Sequence, residues 1–122
     1  MMSILLVAAV ISAFTGSVTD GDTVTIAGER IRIANIDTPE IHEAQCDAEL
    51  RLGKVAARRL AELLKSGQID VQVGDPETGR TKDRFGRTLA TISVNGRDVG
   101  ETLIDEGLAR PWEGKRRSWC GP

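Results

Sequence analysis

Asp22, Asp37, Glu40 and Arg32 fall within one stretch, Asp20 to Glu40 (DGDTVTIAGERIRIANIDTPE), and their types suit phosphodiester chemistry. Two carboxylates can share a hard, oxygen-loving cation. A third, in Glu40, is free to act as a base, and a guanidinium beside them can hold a phosphate. Singly these pieces are weak. An Asp-Gly-Asp turn is usually only a turn, Thr-Pro-Glu commonly starts a helix, and the ligand spacing of an EF-hand is absent after Asp22.

What must position these groups is a hairpin. Thr23 to Ala27 (TVTIA) alternates as a strand, Gly28-Glu29 reads as a turn, and Arg30 to Ile36 (RIRIANI) as the returning strand. Antiparallel partners lie about 5 Å apart, so folding there brings Asp22 and Asp37 to one open end. Gln45 to Lys65 follows as an amphipathic helix with Leu52, Val55, Ala56, Arg59 and Leu60 at helical spacing and Leu63 and Leu64 closing the apolar face. Its acidic start (Asp47, Glu49) and basic end (Lys65) match the helix dipole, and Ser66-Gly67 stops it. Gln68 to Val73 is a strand, Gly74 to Gly86 a polar loop, and Arg87 to Val94 a strand closed by an Asn95-Gly96 turn. Asp98 to Leu108 is a second helix, with Val99, Leu103, Ile104 and Leu108 on one stripe. Ala109 to Pro122 reads as irregular. The order predicts an α+β domain with a small barrel or strongly curled sheet.

The chain has 122 residues, 40% hydrophobic and 28% charged, which bounds it to one ordinary globular domain, expected over residues 14–122. A net charge of −2 argues against coating nucleic acid by bulk charge, though a local basic patch suffices for a phosphate substrate. The apolar run Ser3 to Phe14 is too short for a membrane-spanning helix, so no membrane partner is expected. Residues 1–13 read either as a signal peptide, cleaved near Ser12 or Ala13, or as a buried first segment. The signal reading would place the protein in the periplasm or outside the cell. Cys46 and Cys120 show no metal-ligand spacing. They are either one bridge, formed if the chain is exported, or two separate thiols.

Taken together, the motifs resemble the staphylococcal-nuclease-like (thermonuclease) family. The resemblance rests on Asp-Gly-Asp-Thr at 20–23, Arg32 ahead of Asp37-Thr-Pro-Glu40, Asp83-Arg-Phe-Gly-Arg87, and Gly-Leu-Ala at 107–109. It runs from about Phe14 to Trp112. It implies an OB-type five-stranded β-barrel with two or more packed helices, acting as a monomer. It further implies Ca²⁺ held by the carboxylates of Asp22 and Asp37 and the backbone carbonyl of Thr38. Glu40 becomes the general base, and Arg32 and Arg87 the guanidinium groups on the scissile phosphate. The implied reaction is endonucleolytic hydrolysis of DNA and RNA, single strands preferred, with the 5′-oxygen leaving and a 3′-phosphate retained.

The sequence departs from the family where tyrosines are usual near the nucleotide. Phe85 and Trp112 stand there and could stack on bases without offering a phenolic hydroxyl. A third helix is missing, replaced by a tail with Lys115-Arg116-Arg117 that either touches the substrate backbone or is merely solvated. Asp20 reads either as a support for the metal loop or as a capped turn, and Asp83 as a loop-structuring residue. His42, the one histidine, reads as an exposed helix-start residue. The alternative function is a noncatalytic OB-type module that binds single-stranded nucleic acid.

Overall fold

The computed structural model describes residues 8–121. Most of the expected signal or leading segment, residues 1–7, lies outside them. Ala8–Ile11 form a strand, β1, and the chain bends through residues 12–16 into β2, Ser17–Asp20. There follow β3 (Thr23–Ile26), β4 (Glu29–Ile33), β5 (Ile36–Asp37) and helix α1 (Asp47–Lys65). The remainder is β6 (Ile69–Val73), β7 (Thr88–Val94), β8 (Arg97–Asp98), α2 (Val99–Asp105) and β9 (Arg110–Pro111). Among the described residues no helix is long and apolar enough to cross a membrane.

The main sheet runs β1-β6-β7-β4-β3-β2, with β8 on β7. Its two outer strands, β1 and β2, are consecutive in the chain, so one bent segment lies along both edges. Counting that segment once, five strands enclose the core, and the fold is the expected α+β, OB-type arrangement. Inside are Val24, Ile31, Ile33, Val71 and Ile92, every one fully buried, with Leu60 and Leu64 of α1 and Leu103 of α2 against them.

The hairpin turn falls at Ala27-Gly28, one residue before the expected Gly28-Glu29. Ile26 pairs with Glu29, leaving a two-residue loop with positive φ at both Ala27 (52°) and Gly28 (78°). That primed turn matches the strand twist, and glycine meets its second position without strain. The returning strand is also shorter than expected. It stops at Ile33, turns at Ala34-Asn35, and resumes as β5, which pairs antiparallel with β9 in the tail read as irregular.

Helix α1 begins two residues later than expected and is rotated. Its buried stripe is Glu49, Gly53, Ala56, Leu60 and Leu64, while Val55 is 42% exposed and Arg59 pairs outward with Glu106. Gly53 sets that rotation. A Cβ there would lie 2.7 Å from the carbonyl oxygen of Glu40, so only glycine lets the helix press on the loop carrying that residue. Helix α2 runs from Val99 to Asp105, within the expected Asp98 to Leu108 and three residues short of its end. Asp98 is its N-cap, the carboxylate accepting from the Glu101 amide at 3.0 Å.

Candidate active site

Asp22 sits in the turn between β2 and β3, where its carbonyl accepts from the Ile33 amide at 2.8 Å. The residue is 3% exposed, and Oδ2 accepts from the backbone amide of Thr38 at 3.2 Å. The two acidic turns are therefore joined directly, as the hairpin argument requires. Asp37, also 3% exposed, ends β5, and its register with Arg110 fixes where it points. Asp20 does not cap its own turn. Its Oδ1 accepts from the Ile41 amide at 3.2 Å, tying down the loop beyond Glu40.

The loop from Thr38 to Gln45 has no regular structure of its own. A buried residue of α1, Glu49, holds it. Glu49 Oε2 accepts from the Glu40 amide and Oε1 from the Gln45 amide, each at 2.9 Å. Glu49 stands three residues after the N-cap Cys46, the place of a capping-box glutamate, but reaches beyond the cap to both ends of the loop. In the sequence Glu49 shows only its favourable place on the helix dipole.

Arg32 opposes Thr23 on β3 and Leu89 on β7, which points it into the same end of the barrel. It is 8% exposed and turned inward. Its Nη1 donates to the carbonyls of Ile33 and of Ile36 (2.8 Å), while Nη2 lies 3.6 Å from Asp22 Oδ2. The Trp112 ring covers its face, 5.3 Å from the guanidinium carbon. Arg87 is held differently, at the mouth of β7. Its Nε donates to Asp83 Oδ2 at 2.7 Å and its Nη1 to Thr23 Oγ1 at 3.2 Å. Asp83 also accepts from the amides of Phe85 and Arg87, each at 2.9 Å, so it organises its loop and aims the arginine. Phe85 projects from that loop, 67% exposed, with Arg84 and Arg87 against its ring.

Arg32, Glu40, Phe85, Arg87 and Trp112 thus line one open cleft of about 500 Å³. Asp22, Asp37 and Thr38 form a buried acidic floor behind that lining, in contact with its Arg32 and Arg116. His42 is exposed and has no part in the floor. Burial pushes the Glu40 carboxyl up to about 7; Arg116 opposes this, and the nearby Asp20 and Asp22 charges reinforce it. Burial also raises Asp37, again against Arg116 and with help from Asp22.

The donors at the floor are all oxygens, which suits a hard cation. Two buried oxygens there, Asp37 Oδ1 and Thr38 Oγ1, have no hydrogen-bond partner. Among the described residues no three His, Cys, Asp or Glu side chains converge as a ready metal cage. A positive group is nonetheless seated at the spot. Arg116 Nη1 approaches Asp37 Oδ1 to 3.0 Å, an ion pair without hydrogen-bond alignment, and Nη2 donates to the Thr38 carbonyl at 3.3 Å. The residues present therefore fit a cation.

The model of the family described as staphylococcal nuclease homologue matches residues 30–118. The chain belongs to the staphylococcal nuclease family. It is 36% identical over 95 residues to the SPbeta prophage-derived endonuclease YokF of Bacillus subtilis, covering 75% of this chain and 31% of that protein. It is 35% identical over 95 residues to endonuclease YncB of the same organism, covering 75% and 43%. Against the thermonuclease of Staphylococcus intermedius it is 33% identical over 97 residues, covering 76% and 55%. The chain thus spans between about a third and just over half the length of these relatives. Asp22 lies ahead of the span matched by the staphylococcal nuclease model, so its place in the site rests on the geometry at Thr38.

Cys46 and Cys120 form a disulfide between the N-cap of α1 and the tail, which settles the two readings left open for them. Beside the bridge, Trp119 Nε1 donates to Asp37 Oδ2 at 3.3 Å. The sequence offered one signal for this. Cys46 follows Glu40 closely, so a bridge there draws Arg116 and Trp119 to the acidic floor. Of the basic tail, Lys115 and Arg116 line the cleft, and Arg116 is not merely solvated. Its partners are the acidic residues themselves.

Proposed function

We propose that this chain is a Ca²⁺-dependent nuclease that cleaves DNA and RNA internally, single strands preferred, leaving a 3′-phosphate as the 5′-oxygen departs. The observation that carries the reading is Glu40, a half-buried carboxyl raised to about 7, in one cleft with Arg32 and Arg87 above a floor of buried carboxylates. The names of the relatives, two endonucleases and a thermonuclease, point the same way.

Glu40 takes the proton of the attacking water through its carboxylate; a base with a pKa near the working pH is well placed for that. Arg87, aimed by Asp83, presents the free part of its planar fork to the phosphate. Arg32 adds fixed positive charge from beneath, and the low-dielectric surroundings strengthen both. Phe85 and Trp112 offer ring faces on which bases stack. Asp22, Asp37 and the Thr38 carbonyl would hold the cation, which when bound supplies charge that stabilises the pentacoordinate phosphate. The disulfide supports export to the periplasm or beyond, because such bridges persist in oxidising compartments.

Digestion of single-stranded DNA and RNA with Ca²⁺ and with EDTA tests this reading. Cleavage that needs Ca²⁺ and leaves 3′-phosphate ends supports it. Binding of single strands without cleavage would replace it with the noncatalytic module.

A further inference from the structure

The tail after Trp112 is a strap fixed at both ends. At its start the Trp112 amide donates to the Asn35 carbonyl at 3.0 Å. At its end Cys120 is bonded to Cys46. Between them Arg110 braces the strap, donating to the Ser118 carbonyl at 2.9 Å and lying 3.7 Å over the Trp119 ring. The strap carries Arg116 and Trp119 across the mouth of the acidic floor.

There the two side chains take the oxygens assigned above to a cation. Arg116 reaches Asp37 Oδ1, the Thr38 carbonyl and, at 3.2 Å, Glu40 Oε1. Trp119 takes the other oxygen of Asp37. A guanidinium carries one charge and directs its donors in a plane, whereas a calcium ion needs these oxygens turned toward a single point. Both cannot hold Asp37 Oδ1 and the Thr38 carbonyl together. Arg116 is also 41% exposed, so it can leave without breaking the core.

We propose that Arg116, presented by the disulfide-held strap, is a built-in competitor of the divalent cation, and that cation binding requires its displacement from Asp37 and Thr38. The inference rests on the cation reading given above. The bridge matters because it fixes a high effective concentration of the guanidinium at the floor. Competition for one set of oxygens is reciprocal. Whatever removes Arg116 tightens the cation, and the cation loosens the strap by the same factor.

Calcium titration by calorimetry tests this on the wild-type chain, Arg116→Gln, Arg117→Gln and the double variant Cys46→Ser/Cys120→Ser. Arg117 is the charge control, since its ion pair is with Glu113 and not with Asp37 or Glu40. Arg116→Gln should tighten Ca²⁺ about fivefold, the scale of one partly exposed ion pair lost, and Arg117→Gln less than about twofold. The double serine variant should fall between wild type and Arg116→Gln. In a Trp112→Phe background Trp119 is the sole indole, and its fluorescence should change with the same midpoint as the heat. Equal affinity in wild type and Arg116→Gln, or equal tightening by Arg117→Gln, overturns the competition while leaving the cation reading intact. An absence of Ca²⁺ heat in wild type and in Arg116→Gln removes the cation reading, and this inference with it. Arg116→Gln keeps the bridge, so the test stands even if the serine variant melts.

Discussion

Replacing Glu49 by alanine removes the acceptor for the amides of Glu40 and Gln45, the two ends of the loop that carries the proposed base. Hydrogen bonds to a charged group contribute about 1.5–3 kcal/mol each, which would give about 3–6 kcal/mol for the pair. Gln45 is exposed and Glu40 half-buried, so water recovers part of this, and a loss of about 2–4 kcal/mol is expected. Glu49→Gln keeps one acceptor but sets an amide donor against the second N–H, for a loss of about 1–2 kcal/mol. Urea denaturation at fixed pH measures both, with the midpoint falling and the slope unchanged. The kinetic effect should be larger than the stability effect suggests. A base displaced by about 1 Å can cost about a hundredfold in rate, so kcat should fall while KM stays within about twofold. KM stays because Phe85 and Arg87 sit on a different loop, and a fall in kcat that survives division by the folded fraction separates positioning from simple unfolding. A loss below about 0.5 kcal/mol in Glu49→Ala, with unchanged kcat, would refute the assignment.

Gly53→Ala should destabilise although alanine is the better helix former by about 1 kcal/mol, because its Cβ would meet the Glu40 carbonyl oxygen at 2.7 Å. A more stable variant with normal turnover, measured by thermal melting and single-strand digestion, would contradict the close approach. Arg87→Ala should lower kcat/KM by about 10²–10³, the usual cost of one transition-state donor, and Arg87→Lys should recover only part of it. The same variant carries a pH signature. Burial raises the Asp83 carboxyl, but bonds from the Arg87 amide and guanidinium outweigh it and hold the group below its ordinary 3.8. Stability from a depressed carboxylate is present above the unfolded pKa and lost as pH falls through the folded one. The stability gap between wild type and Arg87→Ala should therefore be full at neutral pH and shrink below about pH 4; a gap independent of pH would exclude the Asp83 contribution.

The barrel strands and the acidic end of the hairpin were legible because alternation and turn residues are local signals. Val24 and Ile31 face the core for the reason read from the sequence, and Asp22 meets Thr38 because the hairpin folds between them. The turn was misplaced by one residue because Gly28 fits either turn position, and only the pairing of Ile26 with Glu29 decides. Apolarity alone places Val55 in the helix core, but the helix rotates to set Gly53 on the Glu40 backbone, a contact with no signal in periodicity. β9 has no sequence signal because a two-residue strand has no pattern; its pairing with Asp37 exists only in the folded chain. The charges of the tail were visible, but their destination depends on the Cys46–Cys120 bridge, which the sequence left undecided.

The central claim is that Glu40 is the base of a nuclease. Single-turnover cleavage of labelled single-stranded DNA by Glu40→Gln, with Ca²⁺ and DNA binding measured on the same preparation, tests it most directly. The account predicts cleavage slowed by about 10²–10⁴, the usual contribution of a general base, with both binding affinities close to wild type. Cleavage at the wild-type rate with binding intact would contradict it.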